Sequence, residues 1–261
     1  MVTTMLELFH WEPVAHCART LICLHEVGAE YRSHYVDALK FEQFSADFLK
    51  LNPLGQLPVL MRDGVAMSES ALLCEYLAES HPEANLAPAD AVDWYNVQVW
   101  SKFVDYHLAS SLGTLGCRKY LVPLLGALDQ AELKRKIASI PVAERKAGWE
   151  RAATGDYDDE LVADAERKVK LAVDRMEATL TEGDWLVGDN YSIADINAFA
   201  MISGLREAAS HIVNERDAPH VIGWTARIAE RPAVRAALSS PGLKRRSDIV
   251  FVPGPEHSRW G

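Results

Sequence analysis

A chain of 261 residues, 49% of them hydrophobic, is long enough for two domains that each bury a core. The formal net charge of -10 argues against a nucleic-acid partner, because phosphate binding draws on concentrated Lys and Arg, and no apolar run reaches the ~20 residues of a membrane-spanning helix. The start, MVTTMLELFHWE, has neither the basic nor the apolar region of an export signal, so a cytoplasmic location is expected. The first element is a short β-compatible run, Met5 to Phe9, followed by a loop containing Pro13. Cys17 to Val27 then places Leu21, Leu24 and Val27 at helical spacing, with Gly28 as the stop. Tyr31 to Val36 reads as a second strand, parallel to the first across a right-handed crossover. After a polar stretch from Lys40 to Lys50, the string NPLGQLPVL leads from Pro58 into a strand, and Asp63-Gly64 turns it into an antiparallel neighbour. Glu69 to Glu79 carries Leu72, Leu73, Tyr76 and Leu77 on a helical face that Pro82 closes.

The order β-α-β, then β-β-α, is that of an α/β thioredoxin-like domain, which we place at residues 4–82. Residues 81–90, rich in Pro, Ala and acidic side chains, suit a linker. Beyond it the sequence predicts an all-α domain over 91–250, with helices over Val92 to Leu115, Leu161 to Leu180, Ile193 to Ala208 and Val221 to Glu230. Ser192-x-x-Asp195 ahead of an apolar run is a capping signature, which assigns Asp195 to folding. Lys244-Arg245-Arg246 reads as a solvated tail segment. The four cysteines show no zinc-site spacing, so no metal is expected; Cys23 and Cys74 fall within apolar helical patterns as core residues.

The string NPLGQLPVL, followed by a turn and Ser68-Glu69-Ser70-Ala71-Leu72-Leu73-Cys74-Glu75-Tyr76-Leu77, resembles the glutathione-binding core of glutathione S-transferases. Ser192-Ile193-Ala194-Asp195-Ile196 matches the capping motif of their C-terminal domains, so the resemblance covers nearly the whole chain. The block DALKFEQF from Asp37 to Phe44, the helix VWSKFVDYH and Lys146-Ala147-Gly148-Trp149-Glu150-Arg151-Ala152 are similar to the bacterial β-etherases that cleave β-aryl ethers of lignin with glutathione.

What the resemblance implies can be placed residue by residue. Leu57-Pro58 is expected to be cis, with the Leu57 backbone pairing to the cysteinyl part of glutathione like an added strand. Glu69 and Ser70 stand at a helix start, where N–H groups and the dipole attract an anion; Ser70 would take the γ-glutamyl carboxylate and Glu69 its ammonium, although Ser-Glu-Ser is also a plain cap. Gln56 and Gln43 are candidates for polar contacts to the tripeptide's ends, or solvated amides.

Glutathione must react as a thiolate, and a free thiol titrates near ~8.5, so the loop after the first strand should stabilise the anion. That loop departs from the family pattern: Val14 stands where many members carry a hydroxyl or cysteine, and the resemblance implies His16 and Cys17, at positions where relatives carry asparagine or cysteine and serine, as the catalytic pair, against a capping or packing role. Trp11, Trp100, Phe103, His107 and Trp149 are candidates for an aromatic wall around the electrophile, against their alternative as core residues. A dimer, with itself or a related subunit, is implied by the family. Two further functions remain open: a redox enzyme in which Cys17 forms a mixed disulfide with glutathione, and a binding module that keeps the fold without catalysis.

Overall fold

In the computed structural model, which describes residues 6–239, the chain begins with strand β1 at Leu6–His10 and helix α1 at Ala15–Glu26. Strand β2 follows at Tyr31–Tyr35, then helix α2 at Phe48–Leu51, strands β3 at Val59–Arg62 and β4 at Val65–Met67, and helix α3 at Ser70–Ser80. The sheet order is β2-β1-β3-β4. β1 runs parallel to β2 with Leu6 opposite Tyr31, and β3 runs antiparallel to both β1 and β4. This is the mixed sheet of a thioredoxin-like domain, as the sequence predicts. The outer ends of the domain limits 4–82 and 91–250, and Lys244-Arg245-Arg246, lie outside the described residues.

The strand period of two sorts the side chains between two layers. Leu8 and Leu60, both fully buried, face α1 and α3 and join Leu21, Ile22, Leu73 and Leu77. Each such leucine contributes about 1.5–3 kcal/mol by leaving water. Phe9 and Val59 project to the other side, where Phe9 stacks on His34 at 4.4 Å and meets Phe48 edge-on at 6.4 Å. That side is covered by residues 37–51, of which Lys40 to Lys50 read from sequence as a polar stretch. Asp37 accepts hydrogen bonds from Leu39 and Lys40 N–H, two tight 3-10 turns follow, and Phe41 adopts a left-handed φ of 64° between them. Ala38, Leu39, Phe41 and Phe48 are buried here, but they follow no single helical stripe, because the backbone leaves helical geometry at Phe41 between the two short turns.

The second domain is helical throughout its described residues. Helix α4 at Ala91–Val104 is capped by Asp90 and continues through wide π-type turns at Asp105–Ala109 and Leu112–Leu121 into α5 at Val122–Gly126, past the predicted end at Leu115. α6 at Gln130–Ala138, α7 at Ala143–Thr154, α8 at Asp159–Glu182, α9 at Ile193–Ala208, α10 at Pro219–Ala229 and α11 at Pro232–Leu238 complete it. The main core does not stop at the domain boundary: α1 and α3 pack into the same cluster as α4, α9 and α11. Arg231 and Glu26 close that contact with two hydrogen bonds of 2.6 and 2.8 Å. No helix of the described residues is long and apolar enough to cross a membrane.

Candidate active site

The loop after β1, Trp11 to Val14, delivers the chain into α1, whose first turn carries His16 and Cys17. The N–H groups of a first turn have no intrahelical partners and carry the positive end of the dipole. Val14, the N-cap, supplies no side-chain bond, and Ala15 has φ 46°. Opposite it, α3 starts after Glu69, whose φ of 70° again lies in the left-handed region that a non-glycine residue adopts at a cost of about 1–3 kcal/mol. Two helix N-termini flanked by strained residues therefore border one site.

A side-chain pair joins them: His16 Nδ1 lies 2.7 Å from Ser70 Oγ. Beneath it sits Arg19, fully buried, with Nη1 3.4 Å from Ser70 Oγ and 2.5 Å from an Asp105 carboxylate oxygen at the first π-type turn. Sequence reading singled out neither Arg19 nor Asp105. The available signal was a lone charge inside the apolar helical run Ala18 to Leu24.

The loop before β3 has its own internal order. Asn52 Oδ1 accepts from Leu54 N–H at 3.0 Å, and its amide donates to the Gln56 carbonyl at 3.1 Å. Gly55 takes a φ of 63° where a side chain would run into the Phe44 ring. The turn ends in the cis Leu57-Pro58 bond that the family resemblance implies. Gln43, buried, donates to the Ala38 carbonyl at 3.5 Å. The carbonyl oxygens of the Gln43 and Gln56 side chains are buried with no hydrogen-bond partner among the described residues. Buried polar atoms are rarely left unmatched, so acceptors of this kind at a site's edge fit a ligand that supplies donors.

The aromatic candidates separate into two groups. Trp11, Cys17, Leu57, Val59, Phe41 and Trp149 belong to one apolar cluster, which the second domain completes with Cys117, Leu121, Leu133 and Ile137. Trp149 lies 4.6 Å from Phe41 centroid to centroid, and its indole N–H has no partner among the described residues. Trp100 belongs instead to the main core on α4, with Phe103 half-buried against it and His107 in the π-type turn that follows. The Arg175 guanidinium lies 4.4 Å from the Trp100 ring and 4.3 Å from Phe103, whose ring is 4.2 Å from His107. The structure thus places Trp11 and Trp149 in the same apolar cluster as Cys17 and Leu57 and leaves the other three outside it.

Near the loop, the Tyr35 hydroxyl donates to buried Glu12 at 2.7 Å, and burial together with that carboxylate raises the phenol far above its usual range. Burial lowers the imidazole of His10, which contacts the Trp11 carbonyl at 2.5 Å and Ser33 Oγ at 2.7 Å. Asp195 stands apart from the site. It accepts from Ser192 N–H at 3.0 Å, Leu186 N–H at 3.1 Å and the Trp224 indole at 2.9 Å, closing the capping box of α9.

A mixed sheet with a cis-proline turn, two helix N-termini facing a shared hydroxyl, and a helical second domain define a thioredoxin-like transferase class. The family profile described as glutathione S-transferase, N-terminal domain, matches residues 15–80, and that for the C-terminal domain matches residues 136–232. The protein belongs to the glutathione S-transferase family, whose co-substrate is glutathione. Protein LigF of Sphingobium sp. (strain NBRC 103272 / SYK-6) is 35% identical over 251 residues, 94% of this chain and 96% of its own. The crystal structure of beta-etherase LigF from that strain has a TM-score of 0.84 at 34% identity, covering 90% of this chain and 98% of the other. Glutathione S-transferase GstA of Escherichia coli O157:H7 is 27% identical over 92% of this chain and all 100% of its own. A glutathione transferase homolog from sulfitobacter with bound glutathione shares the fold, at TM-score 0.66 and 19% identity over 90% of this chain and 97% of that one.

Proposed function

We propose that this transferase is a glutathione-dependent β-etherase that cleaves β-aryl ethers of lignin-derived aromatics. The observation carrying the reading is the near full-length similarity to LigF, whose structure is described as a beta-etherase. In the reaction the thiolate sulfur attacks the carbon next to a ketone. The C–S bond forms as the C–O bond breaks, and the aryloxide leaves with the electron pair and takes the proton released by the thiol. Placement of the two reactants supplies much of the rate.

The γ-glutamyl end lies at Ser70 and Glu69, the cysteinyl part runs along Leu57 before Pro58, and the unmatched oxygens of Gln43 and Gln56 accept from the tripeptide's N–H groups. The thiolate forms at the first turn of α1 with His16 as donor and Cys17 beside it. Trp11 and Trp149 form the wall against the aryl ring. Cys17 is buried among apolar side chains, and disulfide exchange needs an accessible sulfur, which favours displacement over mixed-disulfide chemistry.

A dimer fits the exposed apolar side chains Val65 on β4, Leu72 on α3 and Tyr95 on α4, which are 63%, 57% and 63% accessible. The cytoplasm suits a chemistry that needs reduced glutathione. The test is incubation with glutathione and a racemic β-aryl ether ketone. Stoichiometric phenol and glutathione thioether support the reading. Turnover of a general electrophile such as 1-chloro-2,4-dinitrobenzene, with the ethers untouched, leaves a transferase of another substrate class.

A further inference from the structure

Arg19 is a buried charge that neither the fold nor the proposed chemistry uses. Its guanidinium is fully enclosed, and its position is set from the second domain: Asp105, at the point where the α4 helix widens into π-type turns, holds Nη1 at 2.5 Å. Nε donates to the Asn197 carbonyl at 3.4 Å, and Asn197 is tied to Ser101 at 2.8 Å. Nη2, on the same rigid fork, has no hydrogen-bond partner among the described residues. A widened helical turn that aims a side chain is a recurrent feature of functional sites.

The chemistry of the three groups gives their contacts a direction. A guanidinium donates and never accepts, so Nη1 at 3.4 Å makes Ser70 Oγ an acceptor. The serine hydroxyl has a single proton, and the His16 ring nitrogen stands 2.7 Å away. The arginine takes one of the oxygen's two lone pairs, and the nearest ring nitrogen open to that proton is His16 Nδ1. A neutral imidazole whose Nδ1 accepts carries its own proton on Nε2.

We propose that Arg19 is a positioning residue that orders the chain Arg19→Ser70→His16 and thereby fixes His16 as the Nε2–H tautomer, with Asp105 anchoring the arginine from the second domain. No bond is made or broken in this role. It deepens the reading of His16 as the thiolate donor and rests on that reading for its catalytic consequence, but the chain itself is a property of the free protein. It also links the helical domain to the catalytic loop, because the anchor lies on one domain and the imidazole on the other.

The test is two-bond 1H–15N correlation of the histidine rings in uniformly labelled full-length protein at about pH 8, above the ordinary imidazole range. The His16 signals are assigned by their loss in His16→Ala. The wild type is expected to show His16 with unprotonated Nδ1 and protonated Nε2. Arg19→Met removes the donor while keeping an extended apolar stem, and is expected to turn the single tautomer into a mixture. Asp105→Asn, at a carboxylate that is 38% accessible, is expected to move it the same way to a smaller extent and covers the case in which Arg19→Met fails to fold. An Nδ1–H tautomer in the wild type overturns the proposal without any variant. So does an unchanged tautomer in a folded Arg19→Met, or in Asp105→Asn where Arg19→Met does not fold. The pKa of glutathione bound to the same variants reads the second layer: a lost tautomer with an unmoved thiol pKa upholds the chain and removes His16 from thiol activation.

Discussion

The two side chains proposed to hold the thiolate divide by environment. Cys17 is 6% accessible and packed with Trp11, Leu57 and Trp149, whereas His16 is drawn out of the apolar cluster by Ser70 at 2.7 Å. Cys17→Ser is therefore expected to retain a measurable fraction of β-ether cleavage, since it replaces a neighbour of the reacting sulfur. A redox enzyme would lose all turnover, because an alcohol cannot take part in disulfide exchange. His16→Ala is expected to be the more damaging change and to raise the pKa of bound glutathione, read from thiolate absorbance against pH. At the other end of the tripeptide, Glu69→Ala with Ser70→Ala is expected to weaken glutathione binding by at least tenfold in calorimetry, as loss of charge-assisted hydrogen bonds implies at roughly 1.5–3 kcal/mol each. Near-native affinity in that double variant would remove the γ-glutamyl site.

At the scale of the element, α9 depends on Asp195. Four donors converge on its carboxylate, from Leu186 N–H, the Ser192 N–H and hydroxyl, and the Trp224 indole, in a fully buried position. Desolvation outweighs these bonds and raises the carboxyl to about 6. The folded state thus holds this proton more tightly than the unfolded chain, where an aspartate titrates near ~3.9. The stability this provides is full below about pH 4 and is lost as pH rises through about 6, in total roughly 3 kcal/mol. Urea denaturation of the wild type against Asp195→Asn should show that difference shrinking between pH 4 and pH 7; parallel curves would mean the carboxylate is ionised throughout. Asp195→Ala is expected to destabilise at every pH, since each orphaned buried donor costs about 1–3 kcal/mol. Turnover per folded molecule should change little. Normal stability with lost activity would make Asp195 part of the chemistry.

In the whole molecule the main core crosses from α1 and α3 into α4, α9 and α11, and Arg231 with Glu26 bridges the same seam. Neither domain can unfold without exposing the other's buried leucines. Thermal unfolding is accordingly expected as one transition, with far-UV and near-UV circular dichroism coincident. The segment 6–82 alone should not give a cooperative transition, for it would expose Leu21, Leu24, Leu73 and Leu77. Two resolved transitions in the full chain would show that the shared core is weaker than either domain's own.

The elements with a strong period were legible in the sequence because local packing alone specifies them. Ile193 to Ala208 has the predicted bounds, and β1, β2, β3, β4 and α3 fall within a few residues of theirs. The Ser192–Asp195 cap was legible for the same reason, since both partners lie within one turn. α6 and α7 carry few buried apolar residues, Leu133 and Ile137 in the first and Trp149 and Ala152 among those in the second, and gave no readable stripe. The π-type turns gave none either, because one extra residue per turn still leaves apolar side chains near one face. The cis Leu57-Pro58 turn and the helix starts at His16 and Ser70 were reachable from motif resemblance. Their 2.7 Å approach, the burial of Arg19 against Asp105, and the separation of Trp11 and Trp149 from Trp100 and Phe103 into two apolar clusters were decided by the tertiary structure. Each joins residues 50 or more positions apart or on different domains, and no local pattern encodes a contact that exists only after the two domains have closed on one core.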